Sequence, residues 1–87
     1  MNRTTTDLVS LASIKTGEIG YIRQVNGGRG FISRLATLGF TLGAAVHMVQ
    51  NFGHGPIIVM VRDARVALGR GEAEKVLVSR GVGTGPN

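Results

Sequence analysis

The chain has 87 residues, no cysteine, and ten Lys and Arg against five Asp and Glu, a formal charge of +5. That length allows one small domain held by packing alone, and the missing cysteines exclude a disulfide framework, a thiolate metal centre and a cysteine nucleophile. No apolar run approaches the roughly 18 residues of a transmembrane helix, and a pI of about 11.2 favours acidic partners such as nucleic acid, an anionic surface or an acidic protein face.

The first seven residues are polar and GVGTGPN at 81–87 is rich in glycine, so flexible ends are expected around a domain at 8–80. Asp7 and Lys15 leave only a short, broken apolar stretch between them, too poor for a signal peptide, and a cytoplasmic location is expected. SLASIKTG opens with Ser10, a good N-cap, and reads as one helical turn carrying Leu11 and Ile14. EIGYIRQV follows as a strand whose apolar spacing slips once, the mark of a bulge, and NGGRG ends it as a turn. Phe31, Leu35 and Leu38 share one face of a short helix. After Gly43 the period changes to two: AVHMV and IIVMV form a hairpin across the glycines and Pro56, and RVAL returns after a tight reversal. GRGEAEK is a brief turn or helix before a last strand, VLVS. Five short strands with two or three helical pieces point to a mainly β fold, a small bent barrel whose closure removes exposed edges.

The helix in RLATLGFTLG stops abruptly. With Leu38 as C-cap, Gly39 takes the position where a left-handed backbone suits glycine, and Phe40 folds back against Leu35. Gly43 then makes a second tight turn into the next strand.

Raw material for catalysis is poor. The serines lack a histidine or lysine at a recognisable motif spacing, no GxSxG elbow occurs, and the chain is read as no enzyme. NGGRG lacks the spacing of a phosphate-binding loop, and a turn there needs its glycines in any case. His47 and His54, seven apart, are the candidate ligands of a weak, open site for a divalent transition metal; no cofactor is required. With Val46, Met48, Ile57, Val59, Val61, Val66 and Leu68 turned inward, Val49, Ile58, Met60, Ala67 and Leu77 must face outward. So apolar an outer face suits a partner or self-association.

SLASIKTGEIGYIRQVNGG, SRLATLGFTLGAAVHMV and GPIIVMVRDARVALGRGEAEKVLV together resemble the FeoA family, over about Ser10 to Val78. Its more specific elements are Arg34-Leu35, Leu38-Gly39-Phe40 and Gly43 before alternating Val46 and Met48, then Gly55-Pro56, Val59, Val61, Val66-Ala67-Leu68, Ala73, Val76 and Val78. The resemblance implies an SH3-like barrel and a non-enzymatic accessory role in bacterial ferrous iron uptake beside FeoB, the membrane protein that moves Fe(II) and carries a cytoplasmic GTP-binding domain. That would hold the chain at the inner face of the membrane through its partner. Two departures fall on loops: Leu42 replaces the family's usual proline, and Arg62-Asp63-Ala64 stands where glycine is common, with Asp63 expected to take the unusual turn dihedrals. Arg34, Leu42, Ile58 and Met60 are therefore the expected partner contacts. The alternative of a basic nucleic-acid-binding barrel is disfavoured, since only Tyr21 and Phe52 remain for stacking. A metal-sensing module like the SH3-like domains of iron-dependent repressors would lack a helix-turn-helix here.

Overall fold

A computed structural model describes residues 8–81. The flexible ends expected at 1–7 and beyond Gly81 lie outside the described residues. The strands are β1 (Leu8–Ser10), β2 (Ile19–Val25), β3 (Ala45–Gln50), β4 (Ile57–Val61), β5 (Ala64–Leu68) and β6 (Val76–Arg80); a 3-10 turn covers Leu11–Ser13, and the helices are α1 (Arg29–Thr37) and α2 (Arg70–Ala73). All six strands join one sheet in the order β1-β6-β2-β3-β4-β5, every ladder antiparallel.

Two expectations are corrected. Among the described residues there are six strands rather than five, because Leu8–Ser10 is too short to show alternation yet pairs with Leu77–Ser79. The sheet does not close into a barrel either. β1 ends where the Ser10 hydroxyl accepts the Ala12 N–H at 3.1 Å and turns the chain, so little backbone remains to pair with β5.

The bend lies in β2. Its first half pairs with both β3 and β6; the register against β6 then shifts between Ile22 and Gln24, which is the expected bulge. Arg23 is left unpaired at the bulge, and its Nε donates to the Ser79 hydroxyl at 3.1 Å. Gly20 permits the crossing, since a methyl there would lie 2.9 Å from Val78 Cγ2 and 3.0 Å from its Cβ. A second shift, between Met48 and Gln50 against β4, skips Val49.

The inner face carries the expected alternation, with Val46, Met48, Ile57, Val59, Val61, Val66 and Leu68 all buried. Leu11, Ile14, Leu35, Phe40 and Ala73 join that core from the helical pieces and their turns, so these segments pack on the inner side of the sheet. Leu38 does not belong to the buried face: it is 38% exposed while Phe40 is 2% exposed. The chain folds back after the helix, and Phe40 takes the place beside Leu35 that Leu38 was expected to share.

Candidate functional site

The α1 stop is a hydrogen-bonded clasp. The Phe40 N–H donates to Leu35 O at 2.9 Å and the Gly39 N–H to Ala36 O at 3.0 Å, the two bonds of a Schellman motif with Leu38 as C-cap. Gly39 has φ +106, as the spacing predicted. The chain then turns through Thr41–Gly43, fastened by the Gly43 N–H to Ile22 O at 2.7 Å, and enters β3. The β4–β5 reversal lies against this turn: a methyl on Gly39 would sit 3.0 Å from Val61 Cγ1 and 3.1 Å from both Cδ and Nε of Arg62.

In that reversal the positive φ falls on Arg62, at 58°, and not on Asp63. Pairing of Val61 with Ala64 makes this a two-residue hairpin loop, whose twist calls for a left-handed first residue. The unusual dihedral is thus set by position in the loop, and aspartate's tolerance for it goes unused.

Between the two turns lies an open depression of about 480 Å³, lined by Thr41, Leu42, Gly43, Ala44, Ala45, His47 and Arg62. Leu42 at its rim is 74% exposed. The outer face of the sheet continues from it. His47 pairs with Ile19 on one side and Met60 on the other, and Met60 with Arg65, so the four form a row across β2 to β5. Ile58 lies further along β4, between Gln50 and Ala67. Met60 and Ile58 are half-buried, with His47, Arg65 and Ala67 exposed around them.

Three of the four expected contact residues, Leu42, Ile58 and Met60, thus lie at the depression or on the outer face. Arg34 lies elsewhere, on α1, where its Nη2 donates to Glu72 Oε2 of α2 at 2.7 Å and its guanidinium stands 5.8 Å from the Phe31 ring centre. The Gly69 N–H donates to Glu72 Oε1 at 3.1 Å. That bond, together with the Arg34 guanidinium, holds the Glu72 carboxyl below its ordinary value of 4.5. A depressed carboxyl stabilises the fold above its unfolded pKa, and the contribution is lost as pH falls through the lower folded value. Urea midpoints of the parent and Glu72→Gln should therefore differ at pH 7 and converge well below pH 4.5. Because the pair is solvent-exposed, the difference at neutral pH is small.

The histidines are not brought together as a metal centre. His47 stands mid-strand on the outer face and His54 in the loop after β3, and among the described residues no three His, Asp or Glu side chains gather as metal ligands. Tyr21 and Phe52 are exposed, at 37% and 70%, one on β2 and the other in the β3–β4 loop.

A polar network escaped the sequence reading. Asn51 Nδ2 donates to Ala12 O (2.9 Å) and Ile14 O (2.7 Å), while its Oδ1 accepts from the Gly53 N–H (2.9 Å) and Arg70 Nη2 (2.6 Å). Arg70 also donates to Gly55 O (3.0 Å) and Ala12 O (3.1 Å), and the Asn51 N–H reaches the Thr16 hydroxyl (3.0 Å). The two side chains tie the 3-10 turn, the β3–β4 loop and α2 together. An asparagine beside Gly53 reads locally as a turn residue, so its long-range partners left no signal in the sequence.

A bent antiparallel sheet with its helices on the inner side, and an outer face that they leave uncovered, defines a small SH3-like module. The model of the FeoA domain matches residues 9–80. The chain belongs to the FeoA family. It is 32% identical over 68 residues to "Putative Fe(2+) transport protein A" of Methanocaldococcus jannaschii, covering 78% of this chain and 82% of that one. A crystal structure of the iron uptake regulatory protein FeoA superposes with a TM-score of 0.79 at 31% identity, covering 85% of this chain and 99% of the other. FeoA of Stenotrophomonas maltophilia, a prokaryotic SH3 domain protein crystallised with zinc, gives 0.70 at 28% identity over 82% of this chain and 89% of that one. No helix among the described residues is long and apolar enough to cross a membrane.

Proposed function

We propose that this chain serves ferrous iron transport as a non-enzymatic accessory module that docks, through the outer face of its sheet, on the cytoplasmic part of a FeoB-type membrane transporter. The observation that carries the reading is the placement of Leu42: a large apolar side chain 74% exposed in a depression whose His47 is paired with Met60 on the outer face, with Ile58 further along the same strand. An apolar strip at a concave edge, with polar and basic groups around it, has the composition of a contact surface. Membership of the FeoA family supplies the transport context. A transition metal would find His47 and His54 as its only imidazole ligands, and the reading passes through no metal.

The test is calorimetry of the purified chain against the soluble cytoplasmic domain of the transporter from the same source. The parent should bind saturably. Leu42→Asp and Ile58→Asp should weaken binding by at least about tenfold, the effect of a charge placed in an apolar contact, while circular dichroism shows the fold intact. A parent chain that does not bind the domain would sink the reading.

A further inference from the structure

Arg62 combines three features that together single it out. It is the only non-glycine among the described residues with a positive φ, 58°, a backbone state in which a side chain other than Gly, Asn or Asp is strained. Its stem is laid against the helix-stop turn, with Cδ and Nε over Gly39, so the side chain is directed rather than loose. Yet it is exposed, and among the described residues it forms no salt bridge: the one ion pair there is Arg34–Glu72, and the adjacent Asp63 does not reach it.

The surroundings name the complement. The same depression holds His47 and the Thr41 side chain, both able to donate to an acceptor, and Leu42, Ala44 and Ala45, which offer apolar surface. It contains no carboxylate. Arg65 adds a further cation on the same outer face, beside Met60 in register. A ligand that satisfies all of this carries an acidic group next to an aliphatic one, and in an open depression continuous with a strand face it arrives as an extended peptide. Self-association fits poorly, since two copies meeting here would set Arg62 and Arg65 of each against like charge.

Resting on the docking role proposed above, we infer that Arg62 is the specificity-determining residue of the interface, and that the depression between Thr41–Ala45 and Arg62 receives an extended acidic and apolar segment of the partner protein. The guanidinium takes the carboxylate as a two-pronged hydrogen-bonded pair, and Leu42 with Ala45 covers the neighbouring aliphatic side chain.

Two measurements separate this inference from the role on which it rests. In the first, the nitrogen-15-labelled chain is titrated with acetyl-Asp-Leu-Asp-Leu-Asp-amide and, separately, with acetyl-Lys-Leu-Lys-Leu-Lys-amide. The acidic peptide should shift the amides of Thr41–His47 and Arg62, the lysine peptide should not, and Arg62→Glu should abolish the response. Equal response to both peptides, or none, overturns the inference. So does a larger shift of the same amides by a short oligothymidylate, which would make the occupant a phosphate backbone, or their drift with protein concentration alone, which would make it a second copy. In the second, binding of the transporter domain is compared for the parent, Arg62→Gly and Arg62→Glu. Arg62→Gly should lose about two- to fivefold in affinity, the scale of an exposed charge pair, without a fall in melting temperature, because glycine relieves the left-handed φ. Arg62→Glu should lose more. Parent-like binding by both variants overturns the inference and leaves the docking role standing; absence of parent binding sinks the docking role and leaves the peptide titration to decide the depression's ligand.

Discussion

Replacing Asn51 by alanine should lower the unfolding free energy by about 2–3 kcal/mol, the scale of leaving buried polar groups without partners. The substitution removes the only donor to Ile14 O among the described hydrogen bonds, on a residue that is itself fully buried. Ala12 O is less affected because Arg70 Nη1 still reaches it at 3.1 Å. Arg70 in turn loses the Oδ1 acceptor at 2.6 Å that fixes its guanidinium, and the Gly53 N–H loses its 2.9 Å partner. In a domain this small that loss corresponds to a fall in melting temperature of roughly 10–20 °C. Asn51→Asp should cost at least as much: it keeps the acceptor but sets a carboxylate oxygen against the Ala12 and Ile14 carbonyls, now at 2.9 and 2.7 Å. Urea unfolding of both variants measures this directly, and a loss below about 0.5 kcal/mol, the range of an ordinary surface change, would show that the network adds nothing to stability.

The second large effect is at Gly39. Alanine there must hold φ near +106, outside the range L-residues tolerate, and its methyl must fit within 3.0 Å of Val61 Cγ1 and 3.1 Å of Arg62 Cδ. Strain and crowding together should cost about 2–3 kcal/mol. The consequence reaches beyond stability, because relief of the clash moves Arg62, whose stem rests on this turn. Amide shifts at Arg62 and across Thr41–His47 should therefore change in Gly39→Ala even where the fold survives. In Gly17→Ala, where φ is also positive at +91 but nothing lies within 4 Å of the added methyl, they should not. Similar shifts in both variants would mean that the Gly39 contact does not position Arg62.

These two sites differ in how far they can be read from the chain. Leu38, Gly39 and Phe40 carry their geometry locally: a glycine after an apolar helix and an aromatic after the glycine suffice to predict the stop, and the bonds to Leu35 and Ala36 are those of that motif. Asn51 carries nothing of the kind, since its partners lie 37 and 39 positions earlier and 19 later.

Whatever follows from neighbours on the chain was legible from the residues alone. The period of two marked Val46, Met48, Ile57, Val59 and Val61 as one buried face, the slipped spacing placed the β2 bulge, and the spaced motifs pointed to the FeoA family that the match over 9–80 establishes. The rest depends on which distant segments meet in the fold. A three-residue β1 has too few positions to show a period, and its pairing with β6 is a contact across the whole chain. The sheet stays open because its edge strands, β1 and β5, do not pair with each other, which no local pattern records. Leu38 is left exposed because Phe40 fills the site beside Leu35, and Arg62 takes the left-handed φ because it is the first residue of a two-residue loop. Alternation and capping act over a few residues and are written in order along the chain; burial competition, sheet edges and long-range hydrogen bonds depend on which distant segments meet.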